Sequence, residues 1–181
     1  MHLVFLLEEQ SAKQFLDLFL PRILPDEATF LTVPHQGKSE LQKSIPRKLR
    51  AWRTPDTKFV ILHDQDSADC TELKESLVTL CEAGGKPALV RIACRELEAW
   101  YLGDLHAVDR AYPGSRVARV SRKARYRNPD TIVTPSKELE RIVPEFQKVD
   151  GARRLATEIV VEDCGSPSFR AFVDGVLSLV E

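Results

Sequence analysis

Lys58-Phe-Val-Ile-Leu-His-Asp-Gln-Asp66 is the stretch that decides the fold, because an apolar run of strand length leads there directly into two aspartates. The apolar residues follow one another without alternation, which is typical of a strand covered on both faces, as in a parallel sheet. Three further runs of strand length share this character: residues 3–7, 29–33 and 88–93.

The segments between these runs carry apolar residues at helical spacing. They lie within residues 11–24, 39–52 and 73–83. The order β-α-β-α-β-α-β predicts an α/β fold, a three-layer domain with a mainly parallel sheet of at least four strands flanked by helices. Helices are also predicted over residues 96–112, over 136–147 and from Pro167 onward.

The length of 181 residues fits one domain, 1–181. We divide it into a core at 1–112, a basic irregular segment at 113–135 that is rich in charges, Pro and Gly, and a C-terminal helical part at 136–181. The four cysteines lack CxxC spacing, so a zinc site is not expected. No apolar run reaches the ~18 residues of a membrane span, and residues 3–7 lack the flanks of a signal peptide. A cytoplasmic protein is therefore predicted.

Acidic residues follow three of the predicted strands, and this placement is the main functional signal. Glu8 follows the first strand, Asp64 and Asp66 follow the third, and Glu96 and Glu98 follow the fourth. The carboxyl ends of parallel strands lie on one edge of a sheet, where α/β folds bind ligands. We expect Asp64 and Asp66 to point the same way, because alternate residues of an extended segment share a face.

Carboxylates that converge in this way repel one another unless a hard cation lies between them. Mg²⁺ or Mn²⁺ is the predicted ion, held by Glu8, Asp64 and Asp66, with a second ion held by Glu96 or Glu98. The alternative is that these acids cap helices or stay solvated. By the same alternation, His63 is expected to point away from Asp64.

The motifs around these acids resemble the TOPRIM domain of topoisomerases, primases and nucleases of the overcoming-lysogenization-defect type, which has a Glu after the first strand and a DxD after the third. More specifically, the chain resembles a TOPRIM-like bacterial family known as domain of unknown function 4276. The matching stretches are LLEEQSAKQFL (6–16), QGKS (36–39), ILHDQDSADC (61–70), RIACRELEAWYLGD (91–104), RNPD (127–130) and SPSFRAF (166–172).

This resemblance implies a TOPRIM/Rossmann-like fold and a phosphodiester-handling site. It gives Glu8 a metal or acid/base role, and it gives Asp64 and Asp66 a metal role. Related proteins read EGxSE where this chain reads Glu8-Glu9-Gln10-Ser11-Ala12. The resemblance also implies an ATPase partner of the ABC or AAA type and, by analogy, a part in defence against phage.

Residues 110–154 hold 12 Lys and Arg against 5 Asp and Glu, although the whole chain has a net charge of −1. Within this surplus, six cations fall in residues 116–127, a density that suits contact with the phosphates of DNA or RNA. Docking on an acidic partner is the competing interpretation. The predicted nucleic-acid-binding residues are Lys38, Arg122, Lys123, Arg125 and Arg127. Lys38 is included because the edge of the second strand adjoins the acids, although Gly37-Lys38-Ser39 lacks the earlier glycine of a phosphate-binding loop.

Three functions remain open from the sequence. The first is a Mg²⁺- or Mn²⁺-dependent nuclease in which Glu8, Asp64 and Asp66 are catalytic. The second is a receiver-like domain phosphorylated on an aspartate, which would need a Lys after a fifth strand. The third is a non-catalytic or partner-activated subunit of an ATPase complex. The oligomeric state is not predicted.

Overall fold

The computed structural model describes residues 1–181 and contains one sheet of four parallel strands in the order β2-β1-β3-β4. The strands are β1 (His2–Leu7), β2 (Thr29–Pro34), β3 (Thr57–Asp64) and β4 (Ala88–Ala93). Leu7 pairs with Pro34 on one side and with Leu62 on the other, and Asp64 pairs with Ala93. The strands therefore end almost level, and the residues that follow them meet at one edge.

Strand β1 is covered on both faces, because Leu3 to Leu7 are all fully buried. Alternate residues face opposite sides of the sheet. Phe5 packs on one side with α1 (Gln10–Phe19) and α8 (Pro167–Leu177), and Leu6 packs on the other with α2 (Lys38–Ala51) and α3 (Cys70–Ala83). The predicted three-layer α/β architecture with a parallel sheet is confirmed.

The C-terminal helices join the larger of the two cores. They are α5 (Leu105–Ala111), α6 (Pro135–Ile142), α7 (Lys148–Glu158) and α8. Their apolar side chains belong to the same buried cluster as α1, in which Phe15 and Trp100 lie against Phe169. Helix α8 also covers edge strand β4, where Arg91 Nε donates to the carbonyl of Ala171 at 2.8 Å. No helix has both the length and the hydropathy needed to cross a membrane.

Two predicted helices are interrupted. The helix expected over 96–112 is two short helices, α4 (Glu98–Leu102) and α5, because Gly103 ends the first and the Asp104 side chain caps the second. The helix expected over 136–147 ends at Ile142, since Pro144 cannot continue it, and α7 then begins at Lys148. The basic segment contains three short 3₁₀ turns at Val117–Val120, Ala124–Tyr126 and Pro129–Thr131.

Candidate metal centre

Five acidic residues lie in the segments that follow β1, β3 and β4, close enough for their charges to affect the pKa of Glu8, Asp64 or Glu98, and we call them the carboxylate cluster: Glu8, Glu9, Asp64, Asp66 and Glu98. Glu8 lies across the end of β3, because its Oε2 accepts a hydrogen bond from the Asp64 backbone N–H at 3.2 Å. Glu98 reaches the same place from the first turn of α4. Three of the predicted metal ligands, Glu8, Asp64 and Glu98, are thus neighbours in space.

The pKa values of Glu8, Asp64 and Glu98 are raised by burial and by the charges of neighbouring carboxylates. Burial raises the pKa of Glu8, and the nearby charges of Asp66 and Glu9 add to this effect, while His63 opposes it. Burial also raises the pKa of Asp64 well above its usual value, with Glu98, Glu8 and Glu9 contributing. Like charges held in a dry place favour protonation or a bound cation.

The Glu98 carboxylate accepts no hydrogen bond from the rest of the protein. Its side chain is 1% exposed, and neither carboxylate oxygen has a hydrogen-bond partner. Burial raises the pKa of Glu98 to about 7. A buried carboxylate without donors is costly, so such groups are normally neutralised by a cation or a proton.

Lys148, at the start of α7, is a site residue that the sequence analysis missed. Its Nζ lies 3.6 Å from Glu98 Oε1 and 3.5 Å from Glu9 Oε1. Burial alone would lower the pKa of Lys148, yet its pKa is raised because Glu98, Glu9 and Asp64 surround it. Nothing in the local spacing marks this lysine, and the charge surplus of residues 110–154 was the only sequence signal.

Asp66 lies in the turn after β3 and not in the strand itself. Strand β3 ends at Asp64, and Asp66 occupies the left-handed region with φ 53°, held by a 2.7 Å hydrogen bond from its N–H to the Arg95 carbonyl. The expectation that alternation along an extended segment aligns Asp64 with Asp66 was therefore wrong, because the chain turns there. Asp66 Oδ2 pairs with Lys38 Nζ at 3.0 Å, so Lys38 lies beside the cluster.

His63 does not point away from the site as expected. Its Nδ1 is 3.2 Å from Glu8 Oε2 and 2.6 Å from the carbonyl of Asp64. Its Nε2 is 3.1 Å from the side-chain amide nitrogen of Gln42, which can only donate. This geometry fits the tautomer with the proton on Nδ1, so the Nδ1–H donates to the Asp64 carbonyl, and Glu8 Oε2 lies beside the same N–H.

Whether the residues fit a divalent ion can be tested on these contacts. No three His, Cys, Asp or Glu side chains stand close enough together to enclose an ion as they lie. Glu96 gives one oxygen to the Ser136 backbone N–H at 2.7 Å, near the start of α6, and Asp66 is engaged by Lys38. The donors nevertheless suit Mg²⁺ or Mn²⁺, because neither oxygen of Glu98 accepts a hydrogen bond and all donors are hard carboxylates. Enclosing an ion requires side-chain rotations at this edge.

The Lys38–Asp66 pair does not prevent such rotations. The two side chains are 60% and 39% exposed. Exposed ion pairs contribute only about 0–1 kcal/mol, so this one is easily exchanged for a stronger partner.

A cleft of about 380 Å³ opens beside the carboxylate cluster. It is lined by Glu9, Gln10, Ser11, His35, Gln36, Gly37, Lys148 and Val149. Helices α1, α2 and α7 all begin at this cleft, and none has a side-chain cap hydrogen bond. Free N–H groups at helix starts favour anions, and a cleft of this kind suits a phosphate next to the acids.

The predicted nucleic-acid-binding residues of the basic segment lie on the surface. Arg122, Lys123 and Arg127 are exposed and form no ion pair, and we call them the free cations. Arg125 is exposed but pairs with Glu138 at 3.1 Å. Glu138 also accepts a hydrogen bond from the Tyr126 hydroxyl, which fastens the segment to α6. Among the predicted binding residues, Lys38 alone contacts the carboxylate cluster.

The RNPD and SPSF stretches have a structural role that the sequence analysis did not foresee. Asp130 accepts hydrogen bonds from the Ser166 hydroxyl at 2.6 Å and from the Ser168 N–H at 2.7 Å. The Ser168 hydroxyl in turn accepts from the Trp100 indole N–H at 3.0 Å and from the Cys94 N–H at 3.3 Å. This network holds both ends of the loop that carries Glu96 into α4.

Comparison with known proteins bears on both family and fold. The model of the family described as domain of unknown function 4276 matches residues 7–177. Among solved structures, the C-terminal region of the Burkholderia pseudomallei OLD protein is similar, with 16% sequence identity and a TM-score of 0.54. The match covers 99% of this chain and 96% of that chain, and at this identity it shows a shared fold. Comparison with curated proteins gave no match.

Proposed function

The chain belongs to the family described as domain of unknown function 4276, as its motifs predicted, and on this premise we propose that it is a divalent-metal-dependent nuclease. The observation that carries the proposal is the buried carboxylate of Glu98, which accepts no hydrogen bond and has only the Lys148 ammonium 3.6 Å away, at the edge of the sheet where α/β folds bind ligands. A hard cation relieves this accumulation of charge, and nucleic-acid phosphodiesters are substrates on which such an ion acts.

We assign Glu8, Asp64 and Glu98 to a first ion, with Asp66 joining them when Lys38 releases it. Glu96 has one oxygen left for a second ion. When bound, Mg²⁺ or Mn²⁺ would polarise the phosphodiester and make its water ligand more acidic. Asp64 and Asp66 would serve only as ligands, and Glu8, which accepts from the Asp64 N–H and lies 3.2 Å from His63 Nδ1, is the ligand that we also assign to accept a proton.

Lys148 has the position to bind a phosphate oxygen. Its ammonium group lies at the wall of the cleft beside the helix starts, and it is held there by Glu9 and Glu98. An ammonium group in a half-buried place stabilises the charge that builds up on a phosphate during hydrolysis. Lys38, once free of Asp66, would act on a neighbouring phosphate.

We assign the free cations to the path of the nucleic-acid strand. They are solvent-exposed and lack acidic partners, whereas Arg125 and Arg141 are paired with Glu138. Contacts of this type position a strand without reading its sequence and make affinity depend on salt. DNA and RNA are both included in the proposal.

A partner-activated subunit is the second candidate, and one observation favours it. The cluster is not arranged to enclose an ion, and two lysines are paired with its acids. Docking of another protein could therefore complete the site, and an ABC- or AAA-type ATPase is the partner that the family resemblance suggests. The receiver-like alternative loses its basis, because the sheet has four strands and no fifth strand to supply the required lysine.

The test is cleavage of supercoiled DNA and of single-stranded RNA by the purified protein with Mn²⁺ or Mg²⁺. We expect Asp64→Ala and Glu98→Ala to abolish cleavage. Asp26→Ala is the matched control, since Asp26 is an exposed acid in the turn before β2, at the opposite edge of the sheet. Equal cleavage by wild type and Asp64→Ala would refute the assignment of the site.

Calorimetric titration with Mn²⁺ separates the two candidate functions. The nuclease proposal predicts binding and cleavage by the protein alone, both lost in Asp64→Ala. Binding without cleavage, with activity appearing only when an ATPase is added, would identify the partner-activated subunit. Absence of Mn²⁺ binding in the wild type would count against both.

A further inference from the structure

A second cleft, of about 470 Å³, shares no residue with the carboxylate cluster or with the cleft beside it. It lies between the turn that joins α4 to α5, the basic segment and the loop before α8. We call it the Asp163 cleft, and it is lined by residues 102–106, Ser121, Tyr126, Arg127, Asp163 and Gly165. Sites for small molecules have volumes of roughly 300–1,000 Å³, so this cleft has room for one nucleotide.

Hydrogen bonds of the fold hold the backbone around the cleft in place. The Gly165 N–H donates to the Gly103 carbonyl at 2.8 Å, which joins the loop before α8 to the turn after α4. The buried Asp104 side chain accepts from the Ala107 N–H at 2.9 Å and from the Val160 N–H at 3.1 Å. Both oxygens of Asp104 are therefore engaged, and this residue supports the cleft without being free to bind a ligand.

Three other side chains at the cleft have no partner within the protein. Arg127, His106 and Asp163 are exposed, and none of them forms an ion pair or a side-chain hydrogen bond. A carboxylate only accepts hydrogen bonds, whereas a guanidinium only donates them. The cleft thus offers a ligand one charged acceptor, at Asp163, and nitrogen donors at Arg127 and His106.

The remaining side chains of the lining are mostly apolar. Leu102, Leu105 and Tyr126 line the cleft and are 1%, 3% and 5% exposed. Apolar and aromatic side chains contact the flat face of any nucleobase, because every base has such a face. An apolar wall with a charged acceptor and nitrogen donors suits a nucleotide, which has a flat base, donors on the base and an anionic phosphate.

The free cations lead to the mouth of this cleft. Arg127 is one of them and lines the cleft itself, and the other two, Arg122 and Lys123, directly follow Ser121 of the lining. The path that we assigned to the nucleic-acid strand is therefore continuous with the cleft.

We propose that the Asp163 cleft binds one nucleotide of the strand, with its base against the apolar wall, its phosphate at Arg127 and an amino group of the base donating to Asp163. The source of this nucleotide, a bound strand, rests on the proposed function. Asp163 favours cytosine, whose N4 amino group donates, over uracil, which has a carbonyl oxygen at the same position. The cleft gives the protein a preference among bases that phosphate contacts alone cannot provide.

The experiment compares the binding of fluorescently labelled oligo(dC) and oligo(dU) of equal length, measured by anisotropy in EDTA so that no strand is cleaved. We expect the wild type to bind oligo(dC) about tenfold more tightly, as one hydrogen bond to a charged group allows. Asp163→Asn should abolish this preference, because an amide both donates and accepts. Glu162→Gln is the matched control, since Glu162 is an exposed acid of the same turn outside the lining, and it should keep the preference. Arg127→Ala should weaken the binding of both strands and leave their ratio unchanged.

Equal binding of the two strands by the wild type, or an unchanged preference in Asp163→Asn, would overturn the proposal. CMP and UMP, added as competitors, test the source of the nucleotide. A preference for CMP over UMP without a preference between the strands would overturn the assignment to the strand and leave a free nucleotide as the ligand. Because EDTA removes divalent ions, failure of this test leaves the nuclease proposal standing, and a protein that does not cleave with Mn²⁺ can still show the preference.

Discussion

Replacement of Glu98 by Gln should make the protein more stable at alkaline pH in the absence of divalent ions. Burial raises the pKa of Glu98 from 4.5 to about 7. An acid whose pKa is raised by folding binds more protons in the folded state, so the stability falls as the pH rises from the lower value to the higher one. Each pKa unit corresponds to about 1.4 kcal/mol, so ionising Glu98 costs the fold about 3 kcal/mol above pH 7.

Glu98→Gln removes this cost but takes one partner from Lys148, which keeps Glu9. We therefore expect a net gain of about 1–3 kcal/mol near pH 8 and little change near pH 4. In a domain of this size the gain corresponds to a rise in Tm of roughly 2–10 °C. Mn²⁺ should stabilise the wild type near pH 8 and the variant much less, because the ion would take the place of the proton on Glu98.

The assay is urea unfolding at several pH values, with EDTA and then with Mn²⁺. Asp26→Asn is the control for the loss of an acid elsewhere. Equal destabilisation by Glu98→Gln at low and high pH would show that the fold gains stability from the Glu98 carboxylate, and it would refute a cation site at this position.

Ser168→Ala should lower the free energy of unfolding in urea by about 1–3 kcal/mol, because the indole N–H of buried Trp100 loses its acceptor. The same change should weaken Mn²⁺ binding by displacing the loop that carries Glu96. Unchanged Mn²⁺ binding would confine Ser168 to a purely structural role. Changing all three free cations to Ala should reduce nucleic-acid affinity and make it depend less on salt concentration, as measured by fluorescence anisotropy. Lys43→Ala, on the exposed face of α2, is the control and should have neither effect. An equal salt dependence of wild type and triple variant would show that the strand does not contact the free cations. Lys148→Met should reduce cleavage at least tenfold with little change in Mn²⁺ affinity, and an unaffected rate would exclude its contact with phosphate.

The sheet was predictable because its physical cause is visible in the sequence. Residues 3–7 and 59–62 are apolar without interruption, and such runs are stable only when both faces are covered. The placement of Glu8 and Asp64 near one another follows from the same reasoning, since parallel strands end at one edge.

The side-chain positions beyond the strand ends could not be predicted from the sequence, because they depend on contacts between residues that are distant in the chain. The turn at Asp66 is fixed by the carbonyl of Arg95, and the orientation of His63 is fixed by Gln42 and by the carbonyl of Asp64. Lys148 reaches the site only because α7 packs beside α1, a tertiary arrangement that no local pattern encodes. Gly103 and Asp104 were local signals that could have predicted the break between α4 and α5.

The hydrogen bonds to Ser168 carry a consequence for the order of events during biosynthesis. The loop that begins at Cys94 and the indole of Trp100 are held by a residue 74 and 68 positions further along the polypeptide. Ser168 is therefore synthesised long after β4, and its hydrogen bonds to Cys94 and Trp100 can form only then. Contacts between residues so far apart in sequence form slowly. A growing chain would carry the acids of the edge without their final support until α8 has emerged and docked.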